Sequence, residues 1–501
     1  MKSIRPFKAL CAVGFLLFTA TSFAGDKDKP NVLLIMTDTQ RKDVMGAYGN
    51  KVIKTPNLDM LASTGVMFQN CYVQYAACMP ARATIFTGRY PMANGVWSNG
   101  VNLPEDEITL ADVFLQNGYR TGGAGKFHFL AHYPYRQNVL PTMDTYPGPF
   151  YGFQEFHLGE DGNSGEHGDW IEQNWPEYVG KPNNEVPLEL TNSYWTASHT
   201  ISFIQKCALH KEPFFAFCSF VDPHQAYNPP APYSEMYSEE NMPEPVRRPG
   251  ELDESRFKRV ANSPNYKQYT ESTMYMRTQY YGEMTLIDDM VGRVLDELDE
   301  LGLRDNTLIV FVSDHGDMLG DHWLWWKGGF HWPGGTNVPL FYNWPGNLQD
   351  GKSVEGMVQH TDILPTILEL VGLDIPPGVQ GYSQKPVLTS ETTNTGYTWA
   401  YTESIGSGEY HPEYFDSRGK RDKKRNENPV NIYTIRNLEW RITYHSGAGT
   451  GELYSLAEDP NEFVNLWNDP SYTDKRIELM EILMNRVANT RDPLPMKIRP
   501  Y

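Results

Sequence analysis

The chain has 501 residues, 40% of them hydrophobic and 13% aromatic, enough to bury a large core. A formal net charge of -19 argues against nucleic acid as the main partner, because gripping phosphates needs a basic surface. The same balance leaves open a small anionic group, which needs only one local positive pocket.

At the N-terminus Lys2, Arg5 and Lys8 precede the apolar run Ala9–Phe18, and Ser22-Phe23-Ala24 offers a small-x-small cleavage site. The run is short for a membrane span. Residues 1–24 therefore read as a secretory signal cut near Ala24, with an exported, periplasmic or secreted product and no transmembrane anchor. Beyond Cys11 the cysteines are Cys71, Cys78, Cys207 and Cys218, and an even count in an exported chain leaves disulfides open.

Asn31–Thr37 is a continuous apolar run ending at Asp38, as expected of a central strand covered on both faces. Ligands in open α/β sheets gather at the carboxyl ends of such strands. Pro56–Phe68 reads as an amphipathic helix running into a strand. Cys78-Met79-Pro80-Ala81-Arg82 follows, then Thr87-Gly88; proline tolerates the first helical turn, so Cys78 is expected at a helix N-terminus. There free N–H groups and peptide dipoles lower a thiol's pKa. Gly95-Val96-Trp97-Ser98-Asn99-Gly100 comes next, and Thr109–Asn117 reads as a helix. In Gly122-Gly123-Ala124-Gly125-Lys126-Phe127-His128 the glycines permit close backbone approach. The period of two would put Lys126 and His128 on one side of a strand.

Residues 131–190 are rich in aromatics, glycine and acids without strong periodicity, and read as long loops over the functional face. Arg136, His157, His167 and Trp170 are substrate-contact candidates there. Pro213–Val221 is a second buried-type strand, ending in Asp222-Pro223-His224. Tyr275–Leu301 is a long amphipathic helix. The strand Leu308–Val312 then delivers Ser313-Asp314-His315, so two distant strands each end in an aspartate. Hard oxygen donors of this kind suit Ca2+ or Mg2+. Lys327, His331 and Trp332 follow, then the strand Val338–Tyr342 and the helix Thr361–Leu370. From about residue 390 short strands alternate with turns before a helix at Lys475–Asn489. Arg418–Arg425, basic at six of its eight positions, reads as a solvated loop.

Cys-x-Pro-Ala-Arg followed by Thr-Gly at this spacing resembles the signature of the type I sulfatases, in the alkaline phosphatase superfamily. Gly-Lys-x-His at Gly125–His128, Asp222-Pro223-His224, Ser313-Asp314-His315 and Gly320-Asp321-His322 with Lys327-Gly328 resemble further family segments. So does Glu452-Leu453-Tyr454-Ser455-Leu456 near the C-terminus, which extends the likeness over nearly the whole mature chain.

That resemblance implies an α/β fold with a large mixed, mostly parallel central sheet flanked by helices, and a smaller C-terminal antiparallel sheet with a packed helix. It divides the chain into a catalytic part, 25–388, and a C-terminal part, 389–501. It implies conversion of Cys78 to formylglycine (3-oxoalanine) by a maturation enzyme, which removes Cys78 from any disulfide pool. Asp38, Asp314, His315 and residue 78 would hold one Ca2+, with Mg2+ as the alternative. Many members carry a second aspartate where this chain has Thr39, so ligation by Thr39 or Gln40 stays open. Arg82, Lys126, His128, His224 and Lys327 fall on catalytic positions. Asn99, Arg136, His331 and Trp332 are expected at the substrate, a sulfated glycan. Two other readings stand beside this one: a phosphonate or phosphate ester hydrolase of the same superfamily, and a catalytically silent glycan-binding relative.

Overall fold

A computed structural model describes residues 29–131, 140–161, 164–253, 270–405 and 431–494. The expected signal segment, Arg136 and the basic run Arg418–Arg425 lie outside the described residues.

Nine strands form the main sheet: β1 (Asn31–Thr37), β2 (Val66–Tyr72), β3 (Arg120–Gly125), β4 (Glu155–Glu160), β5 (Ser164–Gly165), β6 (Phe214–Ser219), β7 (Thr307–Ser313), β8 (Asn337–Asn343) and β9 (Lys352–Gln359). Their order is β5-β4-β3-β6-β1-β7-β8-β2-β9. From β4 through β7 all neighbours run parallel, β5 and β8 run against their neighbours, and β2 and β9 pair parallel. The expected mixed, mostly parallel sheet is present.

Strand β1 shows why the centre is so apolar. Val32, Leu34 and Met36 enter the core on one face of the sheet, while Leu33 and Ile35 enter the core on the other. A strand alternates its side chains, so burial on both faces requires an unbroken apolar run. The helix Thr273–Glu300 covers the second face with Tyr280, Met284, Ile287, Val291, Val294 and Leu298. Its Tyr280 hydroxyl donates to the carbonyl of Thr39 at 2.7 Å and accepts from the N–H of Arg41 at 2.9 Å. The loop leaving β1 is thereby fixed.

A second sheet comprises β10 (Ala400–Ser404), β11 (Asn431–Arg436), β12 (Trp440–Ser446) and β13 (Thr450–Ser455), all antiparallel, with the helix Thr473–Asn489 packed on it. It docks where it matters. The Glu403 N–H donates to the Gln74 carbonyl at 2.8 Å and the Thr402 hydroxyl to that of Val73 at 2.7 Å, just upstream of Cys78.

Two expectations need correction. Residues 131–190 are not loops throughout, because β4, β5 and the helix Glu166–Asn174 lie within them. Strand β3 ends at Gly125, so Lys126 and His128 stand beyond it rather than on one face of it. Gly125 has a φ of +94°, and a Cβ there would lie 1.8 Å from the carbonyl oxygen of Ser219. Only glycine allows the chain to leave the sheet so sharply.

Candidate active site

The register of the central strands assembles the site. Thr37 pairs with Ser313, and Gly125 and Met36 both pair with Ser219. The next residues, Asp38, Asp314 and Lys126, therefore leave the sheet at one level from its carboxyl edge. The buried helix Cys78–Thr87 brings its first residue to the same place, and Gly88, left-handed at φ +64°, closes its far end. Ala77 supplies no side-chain cap. The Asn99 carboxamide oxygen instead accepts the Met79 N–H at 3.0 Å.

The Cys78 sulfur is 1% exposed as a residue and ringed by polar groups. Lys327 Nζ lies at 3.1 Å, His315 Nε2 at 3.3 Å, and Lys126 Nζ and Asp38 Oδ1 each at 3.7 Å. Burial works against a thiolate here, but Lys126, Lys327 and His315 outweigh it and hold the thiol well below its ordinary range. The other described cysteines, Cys71, Cys207 and Cys218, are buried and free.

Arg82 is wholly buried and sorts the carboxylate oxygens. Its Nε reaches Asp314 Oδ2 at 2.9 Å and its Nη2 reaches Asp38 Oδ2 at 3.4 Å. The remaining atoms, Asp38 Oδ1 and Asp314 Oδ1, lie 3.8 and 3.7 Å from His315 Nε2. His315 Nδ1 lies 2.9 Å from the Gly316 carbonyl, so the neutral ring would donate there and offer Nε2 to a cation. Asp38, Cys78, Asp314 and His315 thus present one donor each within 4.8 Å, two carboxylate oxygens, a sulfur and an imidazole nitrogen, a set that fits a divalent cation. Burial and the Asp38 charge push the Asp314 carboxyl up, a cost that a bound cation would relieve.

Thr39 and Gln40 each make a side-chain hydrogen bond away from this cluster. The Thr39 hydroxyl donates to the Pro223 carbonyl at 3.0 Å, and the Gln40 amide oxygen accepts from Thr37 at 2.8 Å.

Lys126 shows what the sequence reading missed. Its Nζ lies 2.5 Å from Asp38 Oδ2 and 2.5 Å from Asp161 Oδ1, at the end of β4. Burial alone would lower this ammonium's pKa, yet Asp161 and Asp38 raise it well above the usual lysine range. Glu160, one residue earlier, accepts the N–H groups of Phe127 and His128 at 3.0 and 2.8 Å. His128 in turn hydrogen-bonds the Cys78 sulfur and favours its ionised form. His224 groups with Asp38 and Asp161, one atom of each within 4.8 Å, and its Nδ1 lies 2.8 Å from the Gln225 carbonyl.

Three substrate candidates fall differently. Asn99 is spent on the helix N-terminus. His331 is 2% exposed and contacts Thr434 Oγ1 at 2.7 Å and Ser404 Oγ at 2.9 Å, so both its nitrogens serve the junction with the second sheet. Trp332 lines a separate cleft of about 220 Å³ with Arg41, Asp321, His322 and Asn461. Their nearness in sequence to Lys327 does not carry them into the pocket.

An alkaline phosphatase-like sheet with a metal-ready carboxylate pair beside a helix N-terminal cysteine defines the class, and comparison with known proteins narrows it. The sulfatase family model matches residues 30–373, and that of the N-sulphoglucosamine sulphohydrolase C-terminal part matches residues 320–489. The chain belongs to the sulfatase family of sulfuric ester hydrolases. It is 31% identical to an arylsulfatase of Clostridium perfringens over 93% of this chain and 95% of that one. It is 25% identical to an N-acetylglucosamine-6-O-sulfatase of Bacteroides thetaiotaomicron, over 93% and 88% of the two chains. Among solved structures, a phosphonate monoester hydrolase of Agrobacterium radiobacter superposes with a TM-score of 0.77 at 27% identity, covering 94% of this chain and 100% of that one. No helix among the described residues is long and apolar enough to cross a membrane.

Proposed function

We propose that this chain is an exported sulfatase that removes sulfate from sulfated carbohydrate, using a formylglycine made from Cys78 by a maturation enzyme and one bound Ca2+. The observation that carries the reading is the ring of Lys126, Lys327, His315 and Asp38 around the residue 78 side chain, with Arg82 turning one oxygen of each aspartate inward. The division at 388/389 and export after cleavage near Ala24 belong to the same proposal.

A sulfate monoester resists attack because its oxygens repel nucleophiles, so the site must neutralise charge and protonate the departing alcohol. The Cys78 sulfur marks where the hydroxyls of a hydrated formylglycine stand, which supply the nucleophilic oxygen and a route to expel sulfate. Asp38, Asp314 and His315 would hold a cation, which would supply Lewis acidity toward that hydroxyl and the sulfate. Arg82 fixes the two carboxylates and lends positive charge to the attacking oxygen. Lys126 and Lys327 bind sulfate oxygens. Asp161 orients Lys126, and Glu160 holds the backbone that aims His128. His224 or Lys327 gives the proton to the leaving alcohol. His128 takes the proton of the second hydroxyl when sulfate departs.

The sugar reading rests on the aromatic-rich, acidic chain and on the named activity of the Bacteroides relative. The likeness to the Agrobacterium hydrolase favours a second reading, hydrolysis of phosphonate or phosphate esters. Sulfate and phosphonate esters of one alcohol, with a panel of defined sulfated mono- and disaccharides, separate the two. Faster turnover of the sulfate ester and release from at least one sugar are expected. A clear preference for the phosphonate, with no sugar cleaved, overturns the first reading. The intact polar ring counts against a silent relative.

A further inference from the structure

His157 and His199 lie away from the pocket around residue 78 and have no part in the reaction above. His157 projects from β4, His199 from the helix Asn192–His210, and Glu166 opens the helix Glu166–Asn174. The two imidazole rings are 4.1 Å apart between centroids, and His157 Nδ1 is 3.0 Å from each carboxylate oxygen of Glu166. One donor atom from each residue falls within 4.8 Å of the others. No hydrogen bond joins the His199 ring nitrogens to any other described residue, although Trp195 packs against the ring at 4.3 Å. We propose that His157, Glu166 and His199 form a second metal site, taking a zinc-class divalent cation and tying β4 to the two helices beside it.

Two imidazoles and a carboxylate are the donor set that borderline cations prefer, with ligand bonds of about 2.0–2.2 Å. Such bonds place neighbouring donors about 3.3 Å apart. His157 and Glu166 are already near that spacing, and His199 brings a ring nitrogen within 4.8 Å of both donors. The Glu166 side chain is 33% exposed, which gives an ion a way in. Burial and the neighbouring His157 lower His199 to about 4, so it offers a lone pair at neutral pH. Despite burial, the hydrogen bonds His157 donates to the Glu155 and Glu166 carboxylates raise it to about 9. Lys206, 2.7 Å from Glu155, balances the remaining acid. Strand β4 runs on from this cluster to Glu160 and Asp161, so an ion here steadies the strand that braces His128 and Lys126.

The test is a ZnCl2 titration of the whole protein with excess CaCl2 present, followed by metal analysis after gel filtration. Wild type and Asp314→Asn should each retain one zinc per chain, while His199→Ala and Glu166→Gln bind it at least about 100-fold more weakly. Far-UV circular dichroism keeps a misfolded His199→Ala from counting, and Glu166→Gln preserves shape. Absence of zinc from wild type overturns the proposal. So does zinc that survives both His199→Ala and Glu166→Gln but leaves with Asp314→Asn, which would seat it beside residue 78.

Discussion

Asp161 Oδ1 and Asp38 Oδ2 each lie 2.5 Å from the Nζ of Lys126. One cation is thus held between a carboxylate from the first strand and one from the end of β4. Lys126 keeps its charge despite full burial, and its tip is aimed at the Cys78 position. Asp161→Asn should retain the fold and lower kcat/KM for a sulfate ester by about tenfold, equivalent to about 1.4 kcal/mol. Steady-state kinetics with a chromogenic sulfate ester measures it, and an unchanged kcat/KM rules out the positioning role.

Arg82 is the only described cation with a hydrogen bond to both Asp38 and Asp314, all three wholly buried. Removing it strands two carboxylates without their shared partner. Arg82→Ala should cost about 3–5 kcal/mol in urea denaturation of metal-free protein, the range for a broken buried pair. Added Ca2+ should raise the melting temperature of the variant more than that of wild type, because the cation replaces the lost charge.

Metal removal gives a third expectation. Exhaustive dialysis against a chelator should abolish sulfate release, and Ca2+ should restore it. Mg2+, which demands a tighter octahedron, should restore less. Full activity after chelation would remove the cation from the account.

How far the site was legible follows from which residues carry short-range signals. Asp38, Asp314 and Cys78 each sit at the end of an apolar run or the start of a helix, where local pattern is enough. What put Asp38 beside Asp314 is the pairing of Thr37 with Ser313, a register between strands far apart in sequence. Asp161 and Glu160 escaped notice because β4 follows aromatic, glycine-rich residues that obscure its alternation. His331 falls elsewhere for the opposite reason. It follows Lys327 closely in sequence, but Thr434 and Ser404 of the second sheet contact both its nitrogens.

A buried carboxyl just beyond β9 also brings a pH dependence. Asp362 is buried and raised to about 7 by that burial, although the Tyr397 hydroxyl and the N–H groups of Tyr382 and Gln359 oppose the shift. A carboxyl whose folded pKa exceeds its unfolded value binds protons more tightly when folded. Its contribution therefore weakens as pH rises from about 4 to about 7 and then levels off. Melting temperatures across that window should fall less steeply for Asp362→Asn than for wild type. Parallel curves would place the pH response elsewhere.

The most direct test is the chemistry of residue 78 itself, read on protein made together with a formylglycine-generating enzyme. Mass spectrometry of the peptide carrying residue 78 should show a deficit of about 18 Da relative to cysteine, and that preparation should release sulfate while Cys78→Ala releases none. Sulfate release by Cys78→Ala at the wild-type rate, or by protein whose peptide keeps the full cysteine mass, would contradict the account.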